Sequence, residues 1–411
     1  MNKIQAIYVL CILIFSTSTF PQIPGPTYCG PYTSAQPISL NGTNDLTISE
    51  LKIVNPNGNC ISLTNCHNVT IEKCKLGPAL GNGIELYSCT NISIFDCRMD
   101  SVATGVYAVA SHEISVTYIE VKNILGPYPR GQMVQFNSVY GTGNRINYNV
   151  VDNLMGQSNP EDAINIFQTN GTVSDPIQVI GNWIRGGGPS TSGGGIAAGD
   201  NGGSYIIVKD NILVDPGQYG IAIVSGTNIQ ILYNKVYARQ QPFTNVGIFV
   251  WNQYPHDCSD NTVMGNEVNW TNKYGVPNHF WDGGNCGIIN GLNHNIWGAN
   301  IDSTILPEKI LLDCSITLLA NEKNLPDEYF NIYPNPFNPT TRIAYGVRQR
   351  AIVQLKVFDL LGREVQTIVN EEKYYGHYEV VFDASRLTSG IYFLKLQVGD
   401  LIQTKKIVLT K

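Results

Sequence analysis

Charge is scarce in this chain: 14% of its 411 residues are Asp, Glu, Lys or Arg, and the formal balance is -6. With no basic run, the footprint of a nucleic-acid binder is missing. Histidine is sparse as well, at 6, and no His or second Cys pair has zinc spacing, so a structural zinc site is excluded. The P-loop, the dinucleotide fingerprint and the Gly-x-Ser-x-Gly elbow are absent as meaningful matches. Long apolar runs are missing too. Ile4 to Phe15, between Met1-Asn-Lys3 and Ser16-Thr-Ser18, reads as a secretory signal over residues 1–20 and is too short for a permanent anchor. An exported monomer without a transmembrane segment is expected.

What the chain does contain is a repeat. Ile146-x-x-Asn149-x-Val151 recurs as Val179-x-x-Asn182-x-Ile184, Val208-x-x-Asn211-x-Leu213, Ile231-x-x-Asn234-x-Val236 and Val263-x-x-Asn266-x-Val268. The asparagines are 33, 29, 23 and 32 residues apart, the spacing of stacked arrays. Apolar residues flanking a fixed Asn suit short strands that turn a corner. Stacked in parallel, the amides would bond to one another as an asparagine ladder. Ile48-Leu51-Ile53, Ile71-Cys74-Leu76, Ile94-Cys97-Met99 and Val116-Ile119-Val121 keep the spacing with other residues at the corner. A second strand follows each first one, as in Ile84/Leu86, Ile164/Ile166 and Ile221/Ile223, and is often opened by Gly. Here the chain resembles the right-handed parallel β-helix group, which includes pectate lyases, polygalacturonases and mannuronan epimerases. The resemblance implies an all-β solenoid of about nine to ten coils over residues 24–302.

Export frames the ten cysteines. Cys11 leaves with the signal, and nine is an odd number for a fully paired set. Cys66 and Cys89, and likewise Cys74 and Cys97, are one coil apart. In-register residues aim their Cβ atoms the same way, so free buried thiols are expected there. Cys29 with Cys60, and Cys258 with Cys286, are the disulfide candidates because they join irregular segments. Residues 24–44 should lead into the first coil and help cover its open end.

Early coils are compact, and later ones swell at one recurrent corner: Lys122 to Gly131, Asn153 to Glu161, Arg185 to Gly194, Arg239 to Val246 and Asn269 to Cys286. Inserts that share a corner form a wall, and a groove should run beside it. Its floor would be Glu85, Tyr107, Gln135, Asn165, Ala197, Ala222 and Phe249, with Trp251 near the far end. Aromatic and amide groups along a trough suit an extended polysaccharide, though solvated positions on a long surface would look the same.

Chemistry is expected where the longest inserts meet that floor. Glu161 and Asp162 precede the second strand of a middle coil, and Asp162-Ala-Ile164 is similar to the acidic pair of polygalacturonases, in which two aspartates activate water and protonate the leaving oxygen. Glu161 replaces the first of those aspartates, and the Asn-Thr-Asp, His-Gly and Arg-Ile-Lys signatures are absent. A carboxylate pair there can equally bind a cation or cap a turn. Resemblance to β-eliminating lyases would make Arg130 or Arg185 the base, with Ca²⁺ held by Glu161, Asp162 and Asp200. Tyr254-Pro-His256-Asp257 looks like the Asp-Pro-His-Asp tetrad of mannuronan epimerases, with Tyr254 in place of the first aspartate. His256 and Asp257 are therefore further candidates for substrate contact.

Composition changes after residue 303, and residues 303–327 read as a linker. From 328 to 411, short alternating strands separated by turn signals have the rhythm of a small antiparallel sandwich. Tyr333-Pro-Asn-Pro-Phe, Val357-Phe-Asp-Leu-Leu-Gly-Arg-Glu-Val365, Leu387-Thr-Ser-Gly-Ile-Tyr-Phe393 and Lys405-Lys-Ile-Val-Leu409 resemble the type A sorting domain of the type IX secretion system. That resemblance implies a bacterial protein released from, or held on, the outer cell surface, with the secretion machinery as partner. Two classes of cargo stay open: a polysaccharide-active lyase, hydrolase or epimerase, and a non-catalytic glycan-binding or adhesive β-helix. The gathering of Arg130, Glu161, Asp162, Arg185 and Asp200 favours the enzyme.

Overall fold

The corner asparagines join two strands whose apolar residues point the same way, inward. Ile146 lies on Arg145–Asn147 and Val151 on Val150–Asp152, and both are wholly buried. A computed structural model describes residues 23–314, 330–347, 351–373, 376–398 and 401–410. The expected signal over 1–20 and residues 315–327 of the expected linker lie outside them. The chain forms two compact units, the first beginning at Pro24.

The first unit is a right-handed parallel β-helix built from three parallel ladders. One is an 11-stranded sheet; the other two are joined through the long strand Ile196–Lys209 into a 19-stranded sheet. Each coil visits all three. Apolar side chains of successive coils fill the interior as one stack, including Ile84, Val106, Val134, Ile164, Ile196, Ile221 and Ile248. Burying such a side chain stabilises by about 1.5–3 kcal/mol, so each added coil extends both core and ladders. Glycine opens several of these strands for a steric reason. A Cβ on Gly220 would sit 2.3 Å from the Gly247 carbonyl oxygen and 2.4 Å from Val236.

At the corner, Asn149 donates through Nδ2 to Asn182 Oδ1 at 3.0 Å, Asn182 to Asn211 at 2.8 Å, Asn211 to Asn234 at 2.9 Å and Asn234 to Asn266 at 2.9 Å. Asn295 continues the column at 2.8 Å. Each amide oxygen also accepts the backbone N–H of the coil before it, and each Nδ2 also donates to a backbone carbonyl. The column thus replaces the ladder bonds that a corner would otherwise lose. In earlier coils the buried thiols of Cys74 and Cys97 lie 3.7 Å from the carbonyls of Ile48 and Ile71.

Two expectations change. Cys29 pairs with Cys314 rather than Cys60, because residues 303–314 run back along the outer face of the 11-stranded sheet instead of leaving the helix. Leu306 and Ile310 bury against Val150 and Val214, and Glu120 accepts from the Leu312 N–H at 2.8 Å. Cys258 is joined to Cys286, while Cys60, Cys66, Cys74, Cys89 and Cys97 are free and buried. Of residues 24–44, Thr33–Ala35 and Ile38–Asn41 stack as the first rungs on Leu51–Asn55 and Ile61–Thr64, while the stretch before them lies far along the flank, where Tyr28 N–H donates to Asp96 and Gly25 N–H to the Tyr148 carbonyl.

The second unit pairs a 3-stranded with a 4-stranded antiparallel sheet around Phe330, Ile343, Leu355, Val357, Phe382, Leu394 and Ile407. Its strand Glu364–Lys373 was not anticipated. It occupies a sheet edge, where polar and charged residues replace a clear alternation.

Candidate functional site: an acidic trough along one sheet

Because the strands are in register, residues one coil apart share a face. Glu85, Tyr107, Gln135, Asn165, Ala197, Ala222 and Phe249 form one outward column, and Trp281 continues it. A cavity of about 540 Å³ opens over the part of this column between Gln135 and Trp281. Its walls come from the inserts, which supply Tyr128, Glu161, Ser192 and Asn245. Ala197, Tyr219, Ala222, Val224, Val246 and Phe249 pack into an apolar floor of their own beneath it.

The carboxyl groups sit at the middle of the trough. Asn165 donates through Nδ2 both to Asp162 Oδ2 at 2.8 Å and to Asp200 Oδ2 at 2.9 Å, so one amide holds the two acids together across successive coils. The other oxygen of Asp162 accepts the Gly194 N–H at 3.0 Å and the Tyr219 hydroxyl. Tyr254 donates to Asp200 Oδ1 at 2.9 Å. Burial pushes the Asp162 carboxyl from 3.8 up to about 7, although the bonds from Tyr219, Asn165 and Gly194 pull the other way. The Tyr219 hydroxyl is held well above its ordinary range by burial and then by the neighbouring Asp162. Glu161 stands at the wall, accepting from Ser190 at 2.7 Å and Ser192 at 2.5 Å.

Not every candidate arrives here. Arg185 lies on the 11-stranded sheet, where its guanidinium pairs with Asp152 at 2.6 Å and donates to the carbonyls of Pro307 and Glu308. Its position immediately before an insert gave no sign that the side chain leaves the coil on the far side. Arg130 reaches the trough's edge but is engaged, stacked 3.7 Å above the Tyr107 ring and donating to Gln135 at 3.2 Å. Glu85 accepts from Asn82 at 2.7 Å, two coils short of Gln135. His256 and Asp257 are exposed on a loop outside the cavity lining, with His256 bonded to Asn201 at 3.0 Å. Of that tetrad it is Tyr254 that enters the site.

Four participants were not named from sequence as parts of the site. Trp281 is 32 residues beyond Phe249 and in register with it, a signal hidden by the irregular insert before it. Tyr219 precedes Gly220, where no repeat marks it. Ser190 and Ser192 lay within a flap that reads only as flexible. Among the described residues, no group of three or more His, Cys, Asp or Glu side chains is arranged to hold a metal. The acids face N–H and O–H donors, which a Ca²⁺ ion would have to displace.

Residues 37–194 match the family described as right handed beta helix region, and residues 331–410 match the secretion system C-terminal sorting domain. The chain is a right-handed β-helix protein bearing a secretion sorting domain. The sorting domain makes it a secreted or surface-located protein and implies the type IX machinery as a partner; no helix among the described residues is long and apolar enough to cross a membrane. Among solved structures, this β-helix protein is similar to the catalytic domain of a GH87 alpha-1,3-glucanase in complex with tetrasaccharides, at 12% identity and a TM-score of 0.41, covering 68% of this chain and 63% of that one. It is also similar to the enzymatically active domain of bacteriophage CBA120 tailspike protein 2, at 12% identity and a TM-score of 0.31, covering 92% and 66%. The chain spans less than two thirds of either structure, and at these values the likeness is one of fold alone. No curated protein matches the sequence.

Proposed function

We propose that the β-helix unit hydrolyses glycosidic bonds of an extended polysaccharide lying in the trough. The observation that carries this reading is the pair Asp162 and Asp200, held on one amide beneath an aromatic-lined cleft. Asp162 retains a proton near neutral pH and gives it to the leaving oxygen as the glycosidic C–O bond breaks; Asp200 stabilises the positive charge that develops on the sugar ring, and a water then bonds to that carbon and returns its proton to the Asp162 carboxylate. Tyr219 and Gly194 fix the Asp162 carboxyl, and Tyr254 fixes Asp200. Sugar rings stack on Trp251 and Trp281, whose centroids are 5.4 Å apart.

Hydrolysis is favoured over β-elimination because elimination needs a free base at the floor. Arg185 is on another sheet, and Arg130 is committed to Tyr107 and Gln135. The test is to incubate the full chain with a panel of polysaccharides and follow new reducing ends alongside the ultraviolet absorbance of unsaturated sugars. Reducing ends without unsaturation are expected, falling about 10²–10⁴-fold in Asp162→Asn and Asp200→Asn. Unsaturated products, or full activity in Asp162→Asn, would overturn the assignment. Binding without any cleavage would mark the protein as a glycan-binding β-helix.

A further inference from the structure

The trough combines acids and amides but lacks a matching cation. Glu161, Asp162 and Asp200 line it, together with Gln132, Gln218 and Asn245, and no Lys, Arg or His is among the lining residues. The nearby cations do not face the acids: Arg130 stays at the trough's lower edge, stacked on Tyr107 and bonded to Gln135, His256 meets Asn201, and Arg185 pairs with Asp152 on another sheet. From Gln135 to Trp281 the column climbs through five strand pairings, about 24 Å at roughly 4.8 Å per strand. A polymer seated there lays several sugar units past all three acids.

We infer that the trough selects neutral polysaccharide chains over uronate polymers, a selectivity that rests on the reading of the same trough as a polysaccharide site. A uronate chain carries a carboxylate on every ring. In a partly enclosed cleft those charges would meet Glu161 and Asp200 without any compensating cation, and like-charge contacts are strongly unfavourable. A neutral ring instead offers its C–H face to Trp251 and Trp281, while its hydroxyls bond to the side-chain amides and donate to the carboxylates. The acids that repel a uronate are acceptors for a neutral sugar.

The test is affinity electrophoresis of the full chain carrying Asp162→Asn, which prevents cleavage, in gels holding neutral glucan, mannan, galactan or xylan, or else polygalacturonate or alginate, at low ionic strength. Retardation by at least one neutral polymer is expected, with an apparent affinity about tenfold or more above that for either uronate. Adding Glu161→Gln should narrow the gap by raising uronate affinity; the Gln side-chain oxygen keeps an acceptor at the wall, so affinity for the neutral polymer falls by a smaller factor than uronate affinity rises. Retardation by a uronate as strong as by any neutral polymer, retardation by no neutral polymer, or a gap unchanged by Glu161→Gln each overturns the inference. If the unsubstituted chain binds a neutral polymer yet never cleaves it, the hydrolase reading fails and the selectivity stands.

Discussion

The lower and upper coils of the same solenoid solve one corner in two ways. From Leu51 to Ile119 the corner residue is Leu51, Cys74, Cys97 or Ile119, these corners are 22 to 23 residues apart, and the trough begins only on the coil that Ile119 opens, which carries the first insert. From Asn149 upward the corner is a buried amide, bonded above and below, and the coils opened by Asn149, Asn182, Asn234 and Asn266 carry an insert before the next strand, while the 23-residue coil opened by Asn211 does not. A thiol satisfies little beyond its own contacts, whereas each amide locks its coil to its neighbours. The trough stands only on the amide-cornered coils and the coil just beneath them. Stacking alone builds the solenoid, and the amide corners accompany the stretch in which loops of unequal length must be held in register.

The sharpest way to break this comparison is to remove one amide. Asn211→Leu leaves Asn182 without its acceptor and Asn234 without its donor, all in the dry interior, and should cost about 4 kcal/mol in denaturant unfolding. A loss no larger than that of Cys97→Ala would erase the distinction between the two kinds of corner.

Next comes pH. The folded state holds Asp162 near 7 against an ordinary 3.8, so it favours the protonated acid. Its stabilising contribution is complete below about pH 4 and is lost as pH rises through about 7, on the order of 4 kcal/mol in all. Asp162→Asn should therefore flatten the decline in stability across that window, in thermal melts taken at several pH values. In the unsubstituted protein, hydrolysis should fall above about pH 7 as the proton leaves.

A smaller effect separates platform from chemistry. Trp281→Ala should weaken glycan binding by roughly 1 kcal/mol while leaving the pH profile of cleavage in place. A displaced profile would mean that Trp281 acts on the acids rather than on sugar.

The smallest effect extends the upper design downward. Ile119 N–H already donates to Asn149 Oδ1 at 3.0 Å. Ile119→Asn should therefore join the column at a cost of about 1 kcal/mol or less, far below that of an isolated buried amide. A loss as large as that of Asn211→Leu would show that the lower coils cannot accept the amide corner.

Much of the solenoid was legible because its signal is periodic: Ile, Asn and Val at fixed offsets report a buried corner whichever insert follows. The outward column from Glu85 to Phe249 was legible for the same reason. Arg185 was misread because a residue bordering an insert can face either sheet, and the period does not say which. Trp281 and Tyr219 were missed because one follows an irregular insert and the other occupies a place that recurs with no fixed residue. The Cys29–Cys314 bridge spans 285 residues and depends on a strap whose sequence carries no repeat.

The sequence by itself determined that the chain coils, where its corners fall and which unit addresses it for export, because each follows from local offsets between neighbouring residues. Tertiary structure alone decided that Asn165 binds Asp162 and Asp200 at once, that Tyr219 and Tyr254 complete the pair, that Arg185 faces another sheet and that Arg130 is committed to Tyr107 and Gln135. Apart from the bonds of Asn165 to Asp162 and of Arg130 to Gln135, each within one coil, those contacts join residues from different coils, and their distances are set by insert lengths and side-chain packing, which no single-coil period encodes.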